Sequence, residues 1–289
     1  MTGLTTPGEI VVVTGASSGI GAAAARELAK RGFHVLAGVR REEDAQQMRM
    51  PGIEPVILDI TDPEHVEALL DRVRDDPRRR PLKALINNAG VGANAPVEVF
   101  SLDEWRRLYE VNFFGHVAMI QTLLPTLIRS KGRIVNISSV GGRIAMATYG
   151  PYGGTKFALE ALSDSLRREL APLGVDVVVV EPGAVKTRIS GQAIATARRG
   201  ADGMTAEQRE RYGDLVHAVT AQAAAADEAG ASAETAAAVI AKAVTARRPR
   251  TRYGVGREAM LLGLLGLLPD RVVDRLLAAA LRPHFPKPA

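Results

Sequence analysis

The sequence contains no cysteine in its 289 residues, which excludes a disulfide framework and any chemistry that runs through a thiolate. Aromatic residues amount to only 4% of the chain. That is too few to interleave with basic side chains as a stacking platform, so nucleic acid is not expected as a partner. The net charge of +5 and the basic runs at residues 78–80 and 247–252 are read instead as solvated loop and as the flank of an edge strand. The five histidines, His34, His65, His116, His217 and His284, are scattered without metal-ligand spacing, and no metal is expected. No run of 18 apolar residues occurs, and the short apolar run at 10–13 gives way to glycines. Neither a membrane span nor a secretory signal is therefore expected, and the cytoplasm is the default location.

What is present is an ordinary globular mixture, 46% hydrophobic and 24% charged, long enough for one substantial core. The expected organisation is one domain over residues 1–256 with a C-terminal helical extension over 257–289. β-Branched runs alternate with helical patterns throughout, which implies α/β architecture with a parallel sheet covered on both faces. The first strand, residues 9–14, leads into Gly15-Ala-Ser-Ser-Gly19-Ile-Gly21 and an Ala-rich helix over 22–30. A strand, a glycine turn and a helix provide backbone N–H groups that approach a pyrophosphate at the positive helix end. Gly15, Ser17, Ser18, Gly19, Ile20 and Gly21 are thus candidates for binding a dinucleotide.

The next strand, 34–39, ends in Gly38 and Val39, where an NAD-binding chain would place a carboxylate for the ribose hydroxyls. Arg40 follows, and a guanidinium suits a 2′-phosphate, so NADP(H) is expected over NAD(H). A third strand over 54–58 ends at Asp59-Ile60. Asp59 is a candidate acceptor for the adenine amino group, or a cap for the helix that starts near Pro63. A fourth strand over 82–86 precedes Asn87-Asn88-Ala89-Gly90, small residues that let a cofactor ribose lie close to the backbone. A helical pattern then runs over 102–130 and carries Asn112 among apolar neighbours. There the amide either satisfies a neighbouring backbone group or holds a water or a kink for a proton relay.

The chemistry centres on residues 149–156. Pro151 initiates a helix with apolar spacing at Phe157, Leu159, Leu162 and Leu166, and Tyr152 and Lys156 then share one face. Moving a phenol from its reference pKa near 10 to ~7 requires roughly 4 kcal/mol. An ammonium about 5 Å away supplies ~3 kcal/mol at an effective dielectric near 20, and a second positive charge such as an oxidised nicotinamide would supply the rest. Ser139 ends the buried strand 132–138, where ligands bind in open α/β sheets, and its hydroxyl can hold a substrate carbonyl against the phenol. A further apolar strand, 175–180, leads to Glu181-Pro182-Gly183-Ala-Val185-Lys-Thr187, a turn suited to the nicotinamide carboxamide. Residues 189–230 read as Ala-rich helix without obvious chemistry. A helix over 233–246 and a strand over 250–255 complete the sheet, and no internal repeat is visible.

As an ordered set, Thr14-Gly15-x-x-x-Gly19-x-Gly21, Asp59, Asn87-Asn88-Ala89-Gly90, Asn112, Ser139, Tyr152-x-x-x-Lys156 and Pro182-Gly183 resemble the classical short-chain dehydrogenase/reductases over about two thirds of the chain. Residues 115–187 resemble the branch that includes 17β-hydroxysteroid and retinol dehydrogenases. The resemblance implies a Rossmann-like fold with seven strands, in a homodimer or homotetramer. It also implies that Tyr152 is the general acid in reduction and the base in oxidation. Lys156 would lower its pKa and hold the nicotinamide ribose, Ser139 would position the substrate oxygen, and Asn112 would support a proton relay. The chain departs from the family at Gly153-Gly154, where Ala and Ser are usual, which implies open space beside the phenol and a less rigid first turn.

By the same resemblance the substrate loop falls at 184–212, with further contacts at 143–149. These segments are small or apolar, which suggests a hydrophobic ketone or secondary alcohol. Two other readings were weighed, a 3-oxoacyl-carrier-protein ketoreductase and a dinucleotide sensor without turnover. The tail from 259 to 281 carries ten consecutive uncharged residues, then Pro269 and an amphipathic segment. It is expected to pack over the cleft or a subunit interface, with a peripheral membrane contact as the rival.

Overall fold

The computed structural model describes residues 8–256, 259, 265–266 and 268–286. The uncharged half of the tail thus lies largely outside the described residues. Among them, seven strands form one parallel sheet in the order β3-β2-β1-β4-β5-β6-β7. They are β1 (Ile10–Val13), β2 (His34–Val39), β3 (Ile53–Ile57), β4 (Leu82–Asn87), β5 (Arg133–Ile137), β6 (Asp176–Pro182) and β7 (Arg252–Val255). The four residues of β1 are Ile-Val-Val-Val and are wholly buried, as expected for a parallel strand covered on both faces.

Alternate residues of each strand serve opposite layers. Val11 and Val13 pack with Ala22, Ala24, Ala25 and Leu28 of α1 (Gly19–Lys30), with Ala45 and Met48 of α2 (Glu42–Met48), and with Ala236, Ile240 and Val244 from residues 233–245. Ile10 and Val12 face Val66, Leu69 and Val73 of α3 (Pro63–Arg74), and Met119, Leu123 and Leu127 from residues 115–130. The chain runs outward from β1 to β2 and β3, then returns to lay β4 on the other side of β1. That reversal opens a crevice past the carboxyl ends of β1 and β4.

The helical pattern over 102–130 is one continuous run with a defect. It comprises α4 (Leu102–Tyr109), a π-turn (Glu110–Phe114) and α5 (Gly115–Ser130). By length and composition this run is apolar enough to cross a membrane, which the sequence reading did not allow for. Met119, Leu123 and Leu127 on it are fully buried against the sheet, as in a core helix. After α6 (Gly150–Leu170) come α7 (Arg188–Asp202), α8 (Ala206–Ala229), α9 (Ala233–Thr245) and α10 (Asp270–Leu281). Helix α10 rests on α8: Leu281 packs with Ala218 and Val219, and Gln222 Nε2 donates to the Ala280 carbonyl at 3.2 Å. Val272, Leu276 and Phe285 stay exposed.

Two buried charges fasten the layers. Arg133 at the start of β5 donates to the carbonyls of Ala243, Val244 and Ala246, the free end of α9, and pairs with Asp176 of β6 at 2.7 Å. Asp76 accepts from the Arg80 backbone at 2.8 Å and from the guanidinium groups of Arg80 and Arg72. Arg72 also forms two 2.6 Å bonds to Glu54 of β3, so the network joins α3, β3 and the loop before β4.

Asp76 is only 3% exposed, and its bonds to Arg80 hold its carboxyl far below the usual range. Its stabilisation is complete above the unfolded pKa near 3.9 and is lost as pH falls through the lower folded value. Asp76→Asn should therefore cost about 3 kcal/mol at pH 7. The cost should shrink between pH 4 and pH 2, where the wild type loses the same contribution. Urea denaturation at pH 7 and pH 3 checks both statements.

Candidate active site

The crevice is built from the β1 side outward. Gly15 (φ +64°) and Gly19 (φ +56°) adopt backbone conformations that side chains rarely take, and a Cβ on Gly15 would lie 2.7 Å from Ala89 Cα. The close approach is locked by Thr14, whose Oγ1 accepts from the N–H groups of Asn88 and Ala89 at 3.0 and 2.9 Å. Asn88 Nδ2 returns bonds to the Thr14 and Gly15 carbonyls. Gly21 has no room for a Cβ, which would sit 2.4 Å from the Gly15 carbonyl. Ser18 occupies the N-cap of α1 without a side-chain cap bond, which leaves the first-turn N–H groups facing the cleft.

Across the crevice stand β5 and α6. Pro151 sits in the first turn of α6 and directs Tyr152 and Lys156 to the same face. The Lys156 ammonium is buried, 4% exposed, and donates to the Ile137 carbonyl at the end of β5 at 2.9 Å. Its Nζ lies 5.7 Å from the Tyr152 ring centroid. Ser139 extends from the same strand end; its Oγ accepts from Gly141 N at 3.1 Å and faces the Tyr152 hydroxyl.

The electrostatics differ from the sequence arithmetic. Burial pushes the Tyr152 phenol up to about 12, against a smaller lowering by Ser139, and pushes Lys156 down to about 8, against a raising by Glu160. Any lowering by the Lys156 ammonium, 5.7 Å from the ring centroid, does not overcome that rise in this site. Desolvation of the phenol dominates.

Asn112 is fully buried in the π-turn and does not line the cleft. Its Oδ1 accepts from Val91 N at 2.8 Å and its Nδ2 donates to Val91 O at 2.9 Å. One amide thus replaces a strand partner for the segment after β4, and the kink in the helix supplies the room. One helical turn on, His116 is also fully buried and donates from Nε2 to the Ala89 carbonyl at 2.7 Å. Burial and the charge on Lys156 push it down to about 3, so it is neutral.

All the candidate residues except Asn112 meet on one cleft of about 680 Å³. Gly15, Ser17, Ser18, Gly19, Ile20 and Gly21 line one part of it, with Arg40, Asp59 and Ile60 at the ends of β2 and β3. Asn88, Ala89 and Gly90 lie beyond β4, and Ser139, Tyr152 and Lys156 beyond β5. Pro182, Gly183, Val185 and Thr187 follow β6. Asp59 does not cap α3. It accepts from Thr61, and Asp62 is the cap, accepting from Glu64 N at 2.9 Å.

Of the segment expected as the substrate loop, residues 184–193 supply the cleft lining, while Tyr212 packs in a separate small cluster with Met204 and Val216. The opposite wall comes from α8, where Gln222, Ala223, Ala226 and Asp227 line the cleft, in a segment the sequence reading left without chemistry. Their i, i+4 spacing was the available signal. The glycine pair in α6 opens no space either. A Cβ on Gly154 would lie 2.5 Å from the Tyr109 hydroxyl, and one on Gly153 3.2 Å from the Gly141 carbonyl.

Residues 9–198 match the family described as short chain dehydrogenase. The chain is 34% identical over 274 residues to an NADPH-dependent 3-dehydrocapnine reductase of Ornithobacterium rhinotracheale, covering 92% of this chain and 94% of that protein. It is 37% identical over 292 residues to retinol dehydrogenase 5 of Mus musculus, covering 96% and 89%. A short chain dehydrogenase of Burkholderia cenocepacia, crystallised in complex with NADP, superposes with a TM-score of 0.74 at 25% identity, covering 95% of this chain and 99% of that one.

The packing of Tyr109 on Gly154 carries a test of its own. Alanine gains about 1 kcal/mol of helix propensity over glycine. Gly154→Ala should nevertheless destabilise by about 1–3 kcal/mol, because the added methyl meets the phenol oxygen. Tyr109→Phe in the same chain should recover most of the loss. Thermal denaturation of the two single variants and the double variant reads this directly, and a stabilised Gly154→Ala protein would contradict the packing.

Proposed function

Because the chain belongs to the short-chain dehydrogenase/reductase family, as an NAD(P)-dependent oxidoreductase acting on CH–OH groups, we propose that it interconverts a hydrophobic ketone or aldehyde and its alcohol with NADP(H). The observation that carries this reading is the meeting of Ser139, Tyr152 and Lys156 on one cleft with the glycine loop. The uncapped α1 terminus and the absence of room for side chains at Gly15 and Gly21 fit a pyrophosphate laid against backbone. Bound there, the nicotinamide supplies the hydride.

The protein's own residues supply orientation and the proton. Tyr152, held protonated by its surroundings, donates from its hydroxyl to the substrate oxygen as the carbonyl is reduced. Ser139 holds that oxygen from the other side. Lys156, fixed by Ile137, carries the positive charge that stabilises the phenolate formed when the proton leaves. Asn112 holds the cleft lining at Val91 through two bonds, the support this reading assigns to it in the proton relay.

Support for NADP(H) comes from the β2 end. Arg41 is engaged by Asp44 through two bonds of 2.8 and 2.9 Å. Arg40 is exposed at the rim and forms no hydrogen bond with the described residues, so its guanidinium is available for a 2′-phosphate. The dehydrocapnine reductase is named for NADPH, and the Burkholderia structure holds NADP. For the substrate, Val91, Met146, Ile189, Ala193, Ala223 and Ala226 give the cleft a largely apolar wall. The relatives named for retinol and for dehydrocapnine support a hydrophobic carbonyl.

Purified protein assayed with NADPH and NADH against a panel of hydrophobic ketones tests the proposal. Binding of cofactor without turnover of any substrate would favour the sensor instead. Tyr152→Phe should keep NADPH affinity within about twofold and lose at least 10²-fold in kcat. Undiminished turnover would remove the phenol from the mechanism. Arg40→Ala should weaken NADPH by about tenfold or more and leave NADH unchanged, and equal losses for both would remove Arg40 as the phosphate contact.

A further inference from the structure

One buried charged cluster is not used by the reaction as described so far, and it adjoins the catalytic amine. Glu160 lies one turn beyond Lys156 on α6 and is 6% exposed. Its Oε2 accepts from Arg252 of β7 through Nε and Nη2 at 3.1 and 3.0 Å, and Ser138 faces the same carboxylate, whose Oε1 has no other hydrogen-bond partner among the described residues. Arg252 also pairs with Asp164 at 3.1 Å and with Glu181 at 3.2 Å. Glu181 in turn pairs with Arg143 at 3.2 Å. Lys156 and Glu160 share a face of α6 one turn apart, and ion pairs run on from Glu160 through Arg252 and Glu181 to Arg143. The line touches the helix of Tyr152, the turn before Gly183 and the segment after Ser139.

We propose that Glu160 is a positioning residue for the reaction, a fixed carboxylate that keeps the buried Lys156 amine protonated, and that Arg252 holds Glu160 in its ionised form. The role assigned to Lys156 rests on the functional reading above, whereas the coupling of the three side chains does not. The groups facing Lys156 are Tyr152, His116 and Glu160. His116 is neutral and Tyr152 is protonated, so Glu160 is the group among them that can carry negative charge. Burial by itself drives Lys156 down and Glu160 up, each toward neutrality, and Ser138 and Glu181 also face the Glu160 carboxylate. Arg252 opposes that drift at Glu160, and Glu160 opposes it at Lys156. Removing either partner should discharge the amine at a lower pH.

The test reads the amine directly in the full-length protein. Trace acetylation with acetic anhydride across pH 6–10, quantified on the Lys156 peptide by mass spectrometry, reports the fraction of free amine. The wild-type midpoint is expected at about 8. Glu160→Gln keeps the shape and removes the charge, and its midpoint should fall by about one pH unit. Arg252→Met should move the midpoint the same way, and Arg252→Lys should return it toward the wild-type value. In assays with NADPH and a hydrophobic ketone, Glu160→Gln should lose about tenfold in kcat near pH 8.5 and under twofold near pH 6.5. An unmoved or raised midpoint in folded Glu160→Gln overturns the proposal. Should that variant fail to fold, the Arg252→Met midpoint decides in its place. If no ketone is reduced by the wild type, the functional reading fails, and the acetylation midpoints still settle the coupling.

Discussion

The hydrogen bond from the Lys156 ammonium to the Ile137 carbonyl is the contact on which the site depends. A buried ammonium with no partner would lose its proton or drag its helix toward water. Here the carbonyl at the end of β5 receives it at 2.9 Å. Because Ile137 is two residues before Ser139 and Lys156 is one turn after Tyr152, the single bond brings the serine and tyrosine hydroxyls together. The parallel sheet makes this arrangement available, since its strands end on one side and leave terminal carbonyls there. The remaining charge is managed one turn deeper, by Glu160 and Arg252.

Close approach of backbone segments does the rest. Thr14 and Asn88 bind each other's main chain, so the first and fourth strand ends act as one unit. A Cβ on Gly115 would lie 2.7 Å from Ile60, and one on Gly132 would lie 2.6 Å from the Leu82 carbonyl. Helices α1 and α9 meet through Ala22, Ala25, Ala236 and Ala237, small residues that let two helices share one layer. Glycines and alanines in this chain are therefore spacing devices as much as turn formers, and they set the crevice to its width.

Much of this was legible before the coordinates. Strand β2 was read with its bounds intact, because its β-branched run is flanked by turn chemistry. The strand–glycine–helix opening was legible because only glycine tolerates the φ of Gly15 and Gly19. Spacing placed Tyr152 and Lys156 on one face of α6, and the hydroxyl of Ser139 at a strand end thirteen residues before Tyr152 made that common pair specific. The rest depended on tertiary context. Asn112 stood out as an amide among apolar residues, to satisfy backbone or kink the helix, but no local pattern marks a π-turn or names Val91, 21 residues away, as the backbone it serves. Asp59 is the cap the sequence reading offers for α3, whereas the carboxylate that reaches Glu64 N is that of Asp62, the residue directly before Pro63. Gly154 read as empty space because Tyr109, 45 residues earlier, fills it. The α8 wall was missed because an Ala-rich helix shows little contrast between its faces, so the i, i+4 set Gln222, Ala223, Ala226 and Asp227 gains meaning only where the fold brings it to the cleft.

The pKa of Tyr152 bears on the direction in which this site works best. A phenol pushed up to about 12 is protonated at any physiological pH. That is the form carbonyl reduction consumes, whereas alcohol oxidation requires the phenolate before the substrate proton can be taken. The same burial that makes the phenolate costly in the resting site would keep water from the substrate oxygen that takes the proton in the proposed reaction. Lys156 then matters after the proton has moved, when the phenolate is present and the nearby positive charge lowers its energy. In the proposed reaction the resting site thus already holds the proton that reduction consumes, and oxidation needs a phenolate that the Lys156 charge and the cofactor's own positive charge would have to stabilise against burial.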